Sequence, residues 1–311
     1  MEFTLTAPGP ETPADAPLHQ SPVYGQAMAR LGAQVRVLCI HEGGTCLAQA
    51  QIFSRRVMGL PLHWLPRGPV WAGDVPATQH SPLLAQLPQA KGLRGIWLAT
   101  PDDMKATAAY TRLGYRALLT PQHVAELSLH RDPAIMRARM HGKWRNRLRR
   151  AEDAGLHVTH RPFDPGRDAP LLDLERTQRK HRRYTDLQPS FVSYWSQTAP
   201  KATRLFQLRD GKRPLAVMIF LLHGWRATYQ IGWRDLRNAP PSAHHLLLWQ
   251  AAEYLASKGF RQLDLGTIDT ETAPGLAHFK LGSGGRARPL GPSLLRLPCA
   301  RIPLAIRRAA V

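Results

Sequence analysis

The stretch 203–265 constrains the fold most. Three runs rich in β-branched and aromatic residues, 203–209, 215–223 and 226–233, follow one another across short turns, with Asp210-Gly211 between the first two. Such runs read as strands, and an Asp-Gly turn between two of them predicts a hairpin. A proline-rich loop, 236–242, then enters a helix over 243–258, Gly259 ends it, and a further strand covers 260–265. The order is antiparallel strands, loop, helix, strand, with no glycine-rich dinucleotide fingerprint between them. Ser242 stands at the N-cap position of the helix. A helix N-terminus entered from a strand offers free backbone N–H groups and a positive dipole end, which suits a pyrophosphate or a 3′-phosphate. A plain capped helix produces the same pattern.

The chain of 311 residues is long enough for two domains of about 150 residues each. In the first half, a helix over 24–31 precedes strands at 35–40 and 47–53, with a Gly43-Gly44 turn between them. A short strand at 62–66, a helix at 83–89, a strand at 95–99, a helix at 104–113 and a strand at 124–129 follow. Residues 66–71 (PRGPVW) hold too much proline and glycine for a regular element. One basic helix is expected over 133–154, ending at Gly155, and a strand at 156–161 opens the second half. Helices at 171–185 and 189–197 precede the constraining stretch.

Composition narrows the function classes. Lys and Arg number 42 against 22 acids, a formal net charge of +20. That field attracts polyanions: nucleic acid, anionic headgroups, nucleotides or phosphorylated carriers. A GC-rich genome also produces Arg-, Ala- and Pro-rich usage, so charge alone names no partner. The three cysteines, Cys39, Cys46 and Cys299, have no metal or disulfide spacing, and no metal site is expected. No apolar run approaches the ~18 residues of a membrane span, and residues 1–17 lack the basic start and apolar middle of a signal peptide. A cytoplasmic protein is expected, with peripheral contact at the inner face of an anionic membrane as an open option through the tail LRLPCARIPLAIRRAAV.

The run YQIGWRD…APPSAHHLLLWQAAEYLASKGFRQLDLGT…GLAHFKLGSGG resembles the C-terminal signature of the FemAB-like aminoacyltransferases within the GCN5-related N-acetyltransferase (GNAT) superfamily. The matching elements are Tyr229 with Gly232, Pro241-Ser242, the following helix, Gly259-Phe260, Asp264-Leu265-Gly266 and Phe279-Lys280-Leu281-Gly282. In the first half, PRGPV at 66–70 and the pair Ala108-Ala109-Tyr110 and Leu113-Gly114-Tyr115 resemble the family more loosely. The likeness covers about residues 21–292. It implies an α/β (α+β) chain of two tandem GNAT-like domains, each a mixed, mostly antiparallel sheet flanked by helices. The expected division is a loose segment at 1–20, a degenerate GNAT-like domain at 21–136, a basic linking helix at 137–155, a catalytic GNAT-like domain at 156–293 and a basic, apolar tail at 294–311. The long coiled-coil arm of some members has no counterpart, because no heptad run exists here.

The reaction implied is attack of an amine on an activated acyl carbonyl. It needs positioning, a stabiliser for the tetrahedral oxyanion and an acceptor for the amine proton. Lys280 matches the family's functional lysine, where a cation offsets developing negative charge or a substrate phosphate. Asp264, at a strand end, orients a group or accepts a proton, although strand-end aspartates equally serve as caps. Tyr229 faces the acyl carbonyl or packs in the sheet. His223 and His278 are lesser candidates for a base. TQRKHRRY at 177–184 resembles the family helix that binds acceptor phosphate, which makes Arg179, Lys180 and Arg183 candidates beside Arg67 of PRGPV and Ser242. Lys143, Arg147 and Arg150 fall at i, i+4 and i+7 of the linking helix, a stripe fit for polyanion phosphates and equally for solvent.

Three readings compete. The first is an aminoacyltransferase with aminoacyl-tRNA as donor and a peptide, peptidoglycan precursor or lipid as amine acceptor. The second is an N-acyltransferase using acyl-CoA or another thioester, against which stands the missing Arg/Gln-x-x-Gly-x-Gly/Ala loop. The third is a non-catalytic RNA- or membrane-binding module, against which stands the lack of aromatics among the basic clusters. In the first two the donor is a cosubstrate, and no permanently bound cofactor is expected.

Overall fold

The computed structural model describes residues 2–9, 14–73, 75–182 and 188–298. In chain order the elements are β1 (Glu2–Thr6), α1 (Pro22–Arg30), β2 (Gln34–Glu42), β3 (Thr45–Val57), β4 (Leu60–Pro66), β5 (Val70–Trp71), α2 (Ala77–Gln86), β6 (Ile96–Thr100), α3 (Thr107–Arg112), β7 (Arg116–Leu119) and β8 (His123–Ser128). There follow α4 (Pro133–Ala138), α5 (Gly142–Asp153), β9 (Val158–Arg161), α6 (Pro165–Arg182), α7 (Ser190–Thr198), β10 (Thr203–Asp210), β11 (Arg213–His223) and β12 (Arg226–Arg234). The chain continues with α8 (Ala243–Ser257), β13 (Gln262–Ile268), α9 (Pro274–Gly282), β14 (Arg286–Pro289) and β15 (Ser293–Arg296).

Two compact units form, one from residues 1–122 with the segment from 289 onward, the other from residues 123–288. The first unit holds a sheet in the order β1-β2-β3-β4-β6-β15-β7, with β5 paired to β3. Its strands are antiparallel except β4 and β6, which run parallel across α2. Leu38, Ile52, Leu65, Trp97, Tyr110 and Tyr115 form its core. The second unit holds a sheet in the order β14-β8-β13-β12-β11-β10-β9. Its strands β12 and β13 pair in parallel and are joined by α8. One face of this sheet packs on α5 and α8 through Trp144, Leu148, Phe220, Leu247 and Leu255. The other packs Phe163, Leu171, Leu172 and Val192, from the β9–α6 connection, α6 and α7, against Ile219 and Ile231. The fold is thus two mixed sheets flanked by helices, the class expected from the sequence.

Strand for strand the two sheets have the same order, if β15 stands in the first where β8 stands in the second. The second unit is one contiguous run that begins with β8, whereas the first takes its interior strand β15 from beyond its own N-terminal run. This moves the expected boundaries. β8 and the basic helices lie in the second unit, so the division at 136 and the separate linker at 137–155 give way to a division between 122 and 123. Ser293–Arg296, read as the domain end and the start of a tail, is an interior strand of the first unit, paired to both β6 and β7.

The helix expected over 133–154 is two helices. His141 is extended, at φ −64° and ψ 144°, and its N–H donates to the carbonyl of Gly282 at 3.0 Å, outside either helix. A tertiary partner for that one amide outweighs helix continuation. The PRGPVW segment yields a two-residue strand, Val70–Trp71, after the cis Gly68–Pro69 bond. Among the described residues no helix is long and apolar enough to cross a membrane.

Candidate active site

The second unit is opened by its own strand register. β12 and β13 pair in parallel at only three positions, Arg226 with Gln262, Ala227 with Leu263 and Thr228 with Asp264. Beyond these the strands part. Next to the parting point β12 carries an extra residue: Phe220 pairs with Tyr229 and Ile219 with Ile231, so Gln230 has no place in the ladder. A bulge of this kind bends the strand and re-aims its side chains. Here it brings Tyr229 over Gly232, where a Cβ would collide with the Tyr229 hydroxyl. Gln178 of α6 donates to the Gly232 carbonyl at 3.0 Å.

On the facing strand, Asp264 and Lys280 hold one turn of backbone. Asp264 is 3% exposed and its Oδ1 accepts from the N–H of Gly266 at 2.8 Å. Gly266 has φ +80°, a conformation that glycine adopts without cost. Lys280 reaches back from the last turn of α9, 6% exposed, and its Nζ donates to the Thr267 carbonyl at 2.7 Å. Nζ also lies 3.5 Å from the position a Gly266 Cβ would occupy. The Nζ thus lies against β13 beyond Asp264, the last residue of that strand to pair with β12. The sequence candidates Asp264 and Lys280 are thus brought together, while Tyr229 lies on the neighbouring strand, its ring 5.7 Å from Phe220 on the α8 face.

Side-chain bonds from two residues tie β12 to the entry of α8. Arg234 of β12 donates to the Pro241 carbonyl at 2.8 Å, and the His244 ring bonds the Trp233 carbonyl at 2.9 Å. His245, 5% exposed, packs its ring 4.8 Å from Trp144 and 5.3 Å from Phe279, edge to face. Its buried Nδ1 makes no hydrogen bond. Burial first, then the positive charge of Arg147, His244 and Arg234, lowers its pKa from 6.5 to about 4, so it is neutral at pH 7. Trp144 fixes α5 against α9, with its Nε1 donating to the Phe279 carbonyl at 3.0 Å. Lys143, Arg147 and Arg150 are exposed on this helix.

Other candidates are placed differently. Ser242 occupies the N-cap position, but at φ −92° and ψ 2° its side chain does not cap. The turn Pro240–Ala243, closed by a 3.0 Å bond from Ala243 N–H to the Pro240 carbonyl, sets that backbone and leaves only the Ser242 carbonyl in the helix ladder. Arg179 lies against Glu175 of its own helix, with Nε 3.2 Å from Oε1. Lys180 is exposed, and Arg183 lies outside the described residues. Arg67 belongs to the first unit, buried, with Nε donating to Asp102 at 2.6 Å. His223 bonds the Thr228 hydroxyl at 2.9 Å, and His278 is exposed and bonds the Pro274 carbonyl of its own helix.

Two features escaped the sequence reading. One is His245, which looks like any polar residue in a helical first turn. The other is Glu126, opposite Asp264 on β8 and 8% exposed. It accepts from Arg226 at 2.8 Å, Gln262 at 2.6 Å and Arg288 at 2.8 and 2.9 Å, tying β8, β12, β13 and β14 together. A shallow apolar depression near Pro200, Leu222 and Phe260 lies by the β11–β12 turn, near the C-terminal end of α8 and away from its first turn. Among the described residues no group of three His, Cys, Asp or Glu is placed to hold a metal.

Residues 138–281 match the family described as an acetyltransferase (GNAT) domain. The matched stretch contains the parting strands, α8 and Lys280. No curated protein matches the sequence. Among solved structures the chain is similar to FemX, at 13% identity and a TM-score of 0.78 over 96% of this chain and 97% of that one. It is also similar to a tandem GNAT protein of the clavulanic acid biosynthesis pathway, at 13% identity and a TM-score of 0.56 over 96% and 98% of the two chains. A third similar structure is L-PGS from Bacillus licheniformis, at 14% identity and 0.57 over 94% and 91%. Identities this low establish a shared fold.

Proposed function

We propose that this chain, which carries a GNAT acetyltransferase domain at 138–281 and is similar in fold to FemX, transfers an aminoacyl group from aminoacyl-tRNA to an amine. The acceptor class is a peptide, a peptidoglycan precursor or an amino-bearing lipid. The observation that carries this reading is Arg234 bonded to the Pro241 carbonyl at the entry of α8, together with the exposed stripe Lys143, Arg147 and Arg150 on α5, the helix that packs on α8 through Trp144 and His245. A helix N-terminus suits one phosphate group. The stripe on α5 adds phosphate partners along about 10 Å of helix, at 1.5 Å per residue. A polynucleotide donor uses both.

In this reading the donor's terminal phosphate lies at α8 and its ester carbonyl in the gap between β12 and β13. The acceptor amine attacks that carbonyl, the C–O bond to the terminal ribose breaks, and the ribose oxygen leaves with a proton. Lys280 offsets the charge on the tetrahedral oxyanion and lies within reach of the leaving oxygen. Asp264 holds the Gly266 turn that sets the position of Lys280. Tyr229 packs over Gly232 and shapes the wall beside the carbonyl. Lys143, Arg147 and Arg150 carry donor phosphates. Of the basic candidates, exposed Lys180 of α6 and Arg183 are left for acceptor phosphate, and Ser242 contributes its place in the α8 entry turn.

The test is transfer of a labelled amino acid from a charged tRNA pool to an amine acceptor, with RNase treatment as one arm and acyl-CoA as another. RNase-sensitive transfer is the expected result. Thioester consumption in RNase-treated protein would replace the donor with acyl-CoA, and no transfer from either donor would leave a binding module on an acyltransferase fold.

A further inference from the structure

One end of the first unit carries an apolar tip that the sheet does not need. β2 reaches β3 only as far as Ser54, opposite Gln34, and β6 reaches β4 only from Leu62, opposite Ile96. Residues 55–61 therefore have no strand partner outside their own hairpin, with Arg55 opposite Leu62, Arg56 opposite Pro61 and Val57 opposite Leu60, and the hairpin projects beyond both neighbours. Its two-residue turn is Met58-Gly59, with φ +50° and +78°. Positive φ at both positions is the turn type that selects Asn-Gly or Gly-Gly, and a long unbranched apolar residue is unusual there. Met58 is 98% exposed, Leu60 51% and Val57 37%.

The surroundings are cationic without exception. Arg55 and Arg56 flank the tip, and Arg56 braces it by donating to the Gly59 carbonyl at 3.1 Å. Arg36 of β2 donates to the Gly92 carbonyl at 2.8 Å, which brings Lys91 and Arg94 to the same end. Arg30 and the exposed Leu31 end α1 just before β2 begins there. The three segments 28–36, 54–62 and 90–96 contain six Arg or Lys and no Asp or Glu. No aromatic residue lies in 54–62, so the tip has no platform on which a base could stack.

We propose that this end of the first unit docks on an anionic bilayer, with Val57, Met58 and Leu60 inserted at the level of the acyl chains. The six cations then face the headgroups. Apolar side chains ringed by Lys and Arg are the combination that an interface between water, headgroup and hydrocarbon rewards, since the tip leaves water as the cations meet negative charge. The surface is independent of the acyl-transfer reading. It would hold the protein beside a membrane whatever group the second unit transfers.

The experiment is co-sedimentation of the full chain with vesicles of phosphatidylglycerol and phosphatidylcholine, against phosphatidylcholine alone. Binding to the anionic vesicles only, falling with salt, is expected. Met58→Asn places the preferred residue in this turn, so the variant keeps or raises Tm while its partition falls about tenfold from the lost burial of one side chain. Met58→Gly is a second turn-compatible variant with the same expected loss. Arg55→Gln with Arg56→Gln weakens binding and flattens its salt dependence. Hydrogen exchange of amides 56–60 slows on anionic vesicles. The proposal is overturned if both Met58 variants bind as the parent does, if phosphatidylcholine binds equally, or if the tip instead buries against a second copy, seen as a concentration-dependent dimer that Met58→Asn dissolves. It is overturned too if duplex RNA displaces the vesicles and binds the Met58 variants with unchanged affinity, which would make the patch a polynucleotide site.

Discussion

Burial and charge push His245 the same way. Its ring is enclosed by Trp144 and Phe279, and Arg147, His244 and Arg234 add positive potential. The folded protein therefore keeps it neutral down to about pH 4, against 6.5 for an ordinary imidazole. The unfolded chain takes up a proton at its ordinary pKa and the folded chain does not. Stability from this site is then whole above about pH 6.5 and is lost as pH falls toward 4, by at most about 3 kcal/mol. His245→Phe should flatten the pH dependence of Tm in that window and leave Tm above it little changed; a parallel pH profile for the variant would refute the assignment. Lys280 is a different kind of residue, buried on α9 with its Nζ donating to the Thr267 carbonyl of β13. Lys280→Met keeps the aliphatic stem and removes the charge. We expect kcat to fall about 100-fold with KM changed little, as for the loss of one oxyanion stabiliser. A melt of the variant within a few degrees of the parent would assign the loss to chemistry, and unchanged kcat would remove Lys280 from the mechanism.

The elements around the site owe their order to contacts that join distant parts of the chain. Glu126 is the clearest: a carboxylate on β8 that gathers Arg226, Gln262 and Arg288 from three other strands. Glu126→Ala removes the carboxylate that both arginines share in a buried place, so we expect about 3–5 kcal/mol of lost stability by urea unfolding. Glu126→Gln keeps the shape and should cost less; equal midpoints for the alanine variant and the parent would show the network to be ornamental. The same contrast explains what the sequence makes legible. The strands of 203–233 and helix α8 are visible because their signals are local: alternation, an Asp-Gly turn, a proline-rich entry and a closing glycine. Lys280 and Asp264 are visible because each sits in a short motif. Glu126 is not, because its partners are 100, 136 and 162 residues away. The break at His141 is hidden for the same reason, since its amide is satisfied by Gly282 and nothing nearby announces it. Ser242 misleads in the opposite sense: its type and position say cap, but a turn through two prolines sets its backbone.

Across the whole molecule, the chain crosses between units twice, and the second crossing leaves a firm mechanical signature. β15, only Ser293–Arg296, is four residues long, too short for periodicity to reveal it. Yet it is an interior strand of the first unit, bonded to β6 on one side and β7 on the other. Leu294 is 1% exposed in the core that also contains Trp97 and Tyr115. A chain ending at Pro289 loses both ladders and a core side chain, so the damage should fall on the unit farthest from the cut in sequence. We expect amides of β6 and β7 to lose their exchange protection in this truncation while α8 and β11 keep theirs. A second chain ending at Pro298 retains β15 and should exchange as the parent does in all four elements. If the shorter chain instead loosened α8 first, with β6 and β7 still protected, the interior position of β15 would be wrong. Loss of protection everywhere at once would mean that the first unit is needed for the second to fold, and the longer chain would still report whether β15 is the element responsible.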